Sequence, residues 1–137
     1  MTHRHFTPGK ANEILPQVKV AVLDLIKAQA NVEALSAVQI EYDDQFEEAQ
    51  HVVRMSKEFH RLQGEVQTCV QVLLEMGAFP KDIREGLVDF YAMHEGREIF
   101  LCWKVGEKQV DHWHEVDTGY GARRPVSELG LHHKSQS

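Results

Sequence analysis

The stretch VDHWHEVD, Val110 to Asp117, sets two histidines two residues apart around a tryptophan, with carboxylates on both sides. Alternate residues of a β-strand project from the same face, so His112 and His114 would present two imidazoles together. That spacing suits a divalent zinc, iron or manganese ion when a third ligand comes from a neighbouring element. Candidates for the third ligand are Glu107, His60, His94 and, in one of two strand registers, Asp89. The primary metal set is His112, His114 and Glu107. With Glu107 or Glu115 as general base on a bound water, it would make a metal-dependent hydrolase or oxidoreductase. The plainer alternative is a packed strand whose imidazoles bond to backbone or carboxylate oxygens.

Two further constellations carry reactive groups. Cys102, His114 and Asp89 can be drawn as a Cys-His-Asp set. A mid-strand cysteine between Leu101 and Trp103 nevertheless lacks the helix N-terminus or cationic neighbour that activates a thiol, and core packing accounts for it better. The segment TGYGARRP offers backbone N–H groups at Gly119 and Gly121 beside Arg123 and Arg124, a possible cradle for a small anion. Its plainer reading is a solvated loop whose arginines pair with surface carboxylates.

These groups need elements to position them. Thr7 and Pro8 read as the N-cap and first position of a helix, followed by apolar or small residues at Ile14, Val18, Ala21, Leu25, Ala28, Val32 and Leu35. Pro16 lies inside this pattern and predicts a kink or a fresh start. The alternation of Val38, Ile40 and Tyr42 marks a break, and Asp44 with Glu47 forms a capping-box variant ahead of a second helix. That helix should turn Ala49, Val52, Phe59, Leu62, Val66, Val70 and Leu73 inward and end at Gly77.

After Gly86 the period becomes two. GLVDFYAMH, REIFLCWKV and KQVDHWHEV read as three antiparallel strands joined at Glu95-Gly96 and Gly106-Glu107. A two-residue turn at Gly106-Glu107 pairs Leu101 with His112 and Ile99 with His114, which puts the imidazoles on the apolar face. A one-residue bulge exchanges the faces and brings the histidines beside Asp89 and Cys102. Both registers remain open at this point.

The fold class is therefore α+β: a long antiparallel helical hairpin packed on a C-terminal three-stranded antiparallel β-meander. One domain is expected over residues 1–127, with the hairpin at about 8–77, the meander at about 86–117, a Gly/Arg loop at 118–126 and a disordered polar tail at 128–137. The hairpin carries more apolar face than one small sheet can cover, which points to a homodimer through the helices.

Composition narrows the function classes. The chain has 137 residues, 42% hydrophobic and 26% charged, ordinary for a folded globular domain. Its formal charge of -6 with scattered lysines and arginines argues against nucleic acid, which needs a basic surface to release counterions. The longest apolar run is about half a membrane span and the opening MTHRHF has no apolar signal region, so no membrane span is expected and the cytoplasm is the default. Cys69 and Cys102 form no CxxC and read as reduced, buried thiols.

GLVDFYAMHEGREIFLCWKVGE followed by WHEVDTGYGARRPV resembles the bacterial family called domain of unknown function 2203, and FTPGKANEILP resembles its opening. Positions here that fall on the family pattern are Asp89, Phe90, Gly96, Arg97, Leu101 to Trp103, Gly106, Glu107, Trp113, His114, Gly119, Arg123 and Pro125. His112 and Arg124 do not. The family is uncharacterised, so the resemblance implies no catalyst. It gives weight to His114, Glu107, Asp89 and Arg123 as a polar pocket at one end of the sheet, able to bind a small anion, a metal or a partner residue. The leading expectation is a non-catalytic interaction or regulatory module, with the metal-dependent enzyme as its rival.

Overall fold

A computed structural model describes residues 3–130. Helix α1 spans Pro8–Ser36, opened by Thr7, whose hydroxyl accepts the Lys10 N–H at 3.1 Å. It runs through Pro16 as one helix, without the expected fresh start: a missing N–H removes one ladder bond, and the rest of the turn holds. Its buried residues form two stripes. Val18, Ala21, Leu25, Ala28 and Val32 belong to the expected seam, and Ala11, Leu15 and Val22 form a second stripe beside it that joins Val18, Ala21 and Leu25 in the main core.

Helix α2 spans Gln45–Met76. Asp44 caps it, accepting the Glu47 N–H at 2.8 Å, and Gly77 ends it in the left-handed region at φ 89. Only glycine fits at that C-cap, because a Cβ there would sit 2.7 Å from the Phe6 ring. The inward face of α2 holds at Phe59, Leu62, Val66, Val70 and Leu73, but Ala49 and Val52 are exposed. The reason is length: a helix of 32 residues is about 48 Å long, while strands of eight residues reach about 27 Å. The far end of the hairpin has no sheet beneath it.

The three expected strands are present, with two short edge strands added. Strands β1 (Phe79–Asp82), β2 (Leu87–His94), β3 (Arg97–Lys104), β4 (His112–Glu115) and β5 (Arg124–Pro125) form one five-stranded antiparallel sheet in sequential order. β1 contains Pro80, which argues against a strand in sequence terms but is tolerated at an edge where no partner needs its N–H. The β2–β3 turn has positive φ at both Glu95 and Gly96, the backbone that matches strand twist in a two-residue hairpin.

Val88, Phe90, Ala92, Ile99, Leu101, Trp103 and Trp113 meet α1 and α2 in the main core. Leu129, placed by sequence in the tail, is also buried in that core, so the packed domain extends past residue 127. The remainder of the expected disordered tail, residues 131–137, lies outside the described residues. No described helix is long and apolar enough to cross a membrane.

Candidate functional site

The connection between β3 and β4 decides which face carries the histidines. Val110 is buried, and its backbone is clasped by Asn12 on α1: the Asn12 carbonyl oxygen accepts the Val110 N–H at 2.6 Å, and the amide donates to the Val110 carbonyl at 3.2 Å. The Trp103 indole N–H donates to the Glu107 carbonyl at 3.0 Å. Held this way, β4 pairs Cys102 with His112, Leu101 with Trp113 and Phe100 with His114. This is the shifted register. Trp113 takes the core position, and both histidines face away from the helices beside Asp89 and Cys102.

Asp89 on β2 and His114 on β4 are 2% and 3% exposed, and His114 Nε2 lies 3.0 Å from Asp89 Oδ2. His114 Nδ1 lies 2.8 Å from the Glu115 carbonyl. A carbonyl can only accept, so Nδ1 carries a proton and a second proton is shared between Nε2 and the carboxylate. Burial, the largest influence, disfavours the charged imidazole, but the bonds to Asp89 and Glu115 outweigh it and His114 is shifted upward. The other carboxylate oxygen, Asp89 Oδ1, is buried with no hydrogen-bond partner among the described residues. Cys102 is fully buried between the strands, and burial first, with the Asp89 charge second, pushes its thiol up to about 12.

A second unit closes over this one. The loop after β4 brings Arg123 back to Glu107, where Nη1 and Nη2 donate to the two carboxylate oxygens at 2.9 and 2.8 Å. Glu107 also accepts the Lys104 N–H at 2.8 Å. Burial works to raise the Glu107 pKa and is the largest single effect, yet the Arg123 and Lys104 bonds and the Arg123 charge together hold it below the ordinary carboxylate range. Arg123 Nη1 lies 4.0 Å from Cys102 Sγ, and its guanidinium stacks 4.3 Å from the Tyr120 ring. Arg124 bonds to Glu128 at 2.6 Å, so both loop arginines pair with carboxylates, as the plainer reading of TGYGARRP had it.

The four residues singled out as a pocket, His114, Glu107, Asp89 and Arg123, thus flank Cys102 as two closed pairs. The expected metal set divides. His114 groups with Asp89 and Cys102, their ligand atoms within 4.8 Å of one another, whereas His112 groups with Glu107 and Asp111. His112 Nδ1 lies 2.7 Å from Asp111 Oδ1 and 3.7 Å from Glu107 Oε2, without hydrogen-bond alignment. His94 sits at the turn end of β2 beside Glu95 at 3.1 Å, and His60 is on the exposed side of α2. Sequence reasoning discounted Cys102 as core and passed over Asp111. The available signal was same-face spacing in the shifted register.

No curated protein and no solved structure is detectably similar to the chain. The model of the family DUF2203, described as an uncharacterized conserved protein, matches residues 4–126, which include both helices, the sheet and every residue of the two pairs. The chain belongs to the DUF2203 family.

Proposed function

We propose that this protein is a non-catalytic interaction module that works as a homodimer through its helical hairpin. The observation that carries the reading is the state of α2: of its 32 residues only Leu62 and Leu73 are buried. Helices within proteins draw most of their stability from a packed apolar face, and α2 leaves Phe46, Val52, Val53, Val72 and Leu74 in solvent. A groove of about 690 Å³ runs between the helices, lined by Val20, Ala21, Thr68, Cys69, Val72 and others. Two helices about 45 Å long and together about 20 Å wide offer about 900 Å², close to the roughly 800 Å² per partner of a stable interface. A second copy of the chain is the occupant that matches this area.

The chemistry on the opposite sheet face supports a non-catalytic role. Glu107 is held below the range of an effective base, both His114 nitrogens are engaged, and the Cys102 thiol is pushed up to about 12, far from a reactive thiolate. Glu107 is paired with Arg123, and His114 with Asp89 and the Glu115 carbonyl. Two unbridged cysteines accord with a reducing, cytoplasmic setting.

Sedimentation equilibrium over a micromolar concentration range tests the reading. The expected result is a dimer, dissociated by Val20→Glu or Val72→Glu with unchanged helical circular dichroism. A wild-type chain that stays monomeric at about 100 µM, a concentration at which even weak transient pairs associate, would overturn it.

A further inference from the structure

We propose that Asp89, Cys102 and His114 form a buried binding site for a divalent transition metal ion, with zinc as the best-matched species. Three adjacent strands supply one ligand each from the face opposite the helices: Asp89 on β2, Cys102 directly across on β3, and His114 on β4. Their ligand atoms already lie within 4.8 Å of one another. A thiolate, an imidazole and a carboxylate together select zinc or a similar borderline ion over magnesium or calcium, which prefer oxygen alone.

Two further observations point to an ion rather than to packing alone. Asp89 Oδ1 is a buried carboxylate oxygen without a geometrically formed hydrogen bond among the described residues; the donor at hand beside this carboxylate is the weak Cys102 thiol, whose proton a cation would replace. His114 holds its Nδ1 proton against the Glu115 carbonyl, which leaves Nε2 as the atom directed into the cluster. That outer bond is the one that orients metal-bound histidines. Arg123, 4.0 Å from Cys102 Sγ and already neutralised by Glu107, adds an N–H to the sulfur without adding net charge.

Charge balance permits the exchange in a buried place. Before binding, the carboxylate, the imidazolium and the thiol sum to zero. After binding, the divalent ion, the carboxylate, the neutral imidazole and the thiolate also sum to zero. One proton leaves from Cys102 and one from between His114 and Asp89, so no net charge is buried. The other cluster, Glu107, Asp111 and His112, also holds a buried nitrogen without a hydrogen-bond partner, His112 Nδ1, but its carboxylates are less suited to an ion, because Glu107 is spent on Arg123 and Asp111 is exposed.

Cobalt(II) is the probe. The full chain, stripped with chelator and titrated with Co²⁺, is expected to develop a near-ultraviolet thiolate-to-cobalt charge-transfer band that saturates at about one ion per chain and releases about two protons per ion. Added zinc should bleach it. The band should disappear in Cys102→Ser and persist in Cys69→Ser, in His112→Ala and in a His3→Ala, His5→Ala double variant, since Cys69, His112, His3 and His5 all lie outside the cluster. A stripped wild type that shows no such band overturns the site without recourse to any variant. So does a band that survives Cys102→Ser, or one lost only in His112→Ala.

Discussion

Glu107→Ala isolates the most strongly bonded side-chain pair on the outer sheet face. Glu107 accepts from Arg123 at 2.9 and 2.8 Å and from the Lys104 N–H at 2.8 Å, and the two side chains are 24% and 11% exposed. Breaking a fully buried ion pair costs about 3–5 kcal/mol, whereas an exposed pair contributes about 0–1 kcal/mol. With Arg123 the more buried partner and left without a counter-charge, about 2–3 kcal/mol is expected for Glu107→Ala. Arg123→Ala should cost less, about 1–2 kcal/mol, since Glu107 keeps water and the Lys104 N–H. The double variant should then show a coupling of about 1.5 kcal/mol. Urea unfolding with an unchanged slope measures each step. The pH dependence supplies an independent check. Because the folded Glu107 pKa is lowered, its contribution is fully present above the ordinary carboxylate value and is lost as pH falls through the folded value. The wild type should lose stability over that acid window, and the Glu107→Ala chain should lose correspondingly less. A coupling under about 0.5 kcal/mol, or identical acid limbs in the two proteins, would refute the reasoning.

Two other substitutions test the scaffold that places the site. Asn12→Ala removes both partners of the buried Val110 backbone and should cost about 2–4 kcal/mol by chemical denaturation; a loss under about 1 kcal/mol would mean that the clasp does not hold the β3–β4 connection. Gly77→Ala places a Cβ at φ 89 and 2.7 Å from the Phe6 ring, so it should destabilise by about 1–3 kcal/mol in a thermal scan, and a neutral outcome would show that the Phe6 segment yields freely.

Local chemistry made the elements legible. Thr7 and Pro8, Asp44 and Gly77 act within a turn of themselves, so their capping roles are written in neighbouring residues and appear as expected. Glu95-Gly96 likewise fixes its own hairpin. The second buried stripe of α1 and the edge strand at Phe79–Asp82 were harder to read, because burial at Ala11 or tolerance of Pro80 depends on what lies alongside. The expected dimer face rests on a length mismatch that sequence already implied and the dimensions of helix and sheet make explicit.

The sequence by itself determined the helical hairpin, the antiparallel order of the strands and the pool of polar residues: Asp89, Cys102, Glu107, His112, His114 and Arg123. Tertiary structure alone decided which of them meet. A strand has period two, so one residue of slip in β4 moves every side chain to the other face, and the residue types at Gly106-Glu107 are compatible with both registers. The choice is made by Asn12, 98 positions away, holding Val110, and by Trp113 filling the core where a histidine would otherwise stand. Together these long-range contacts set His114 against Asp89 and Cys102.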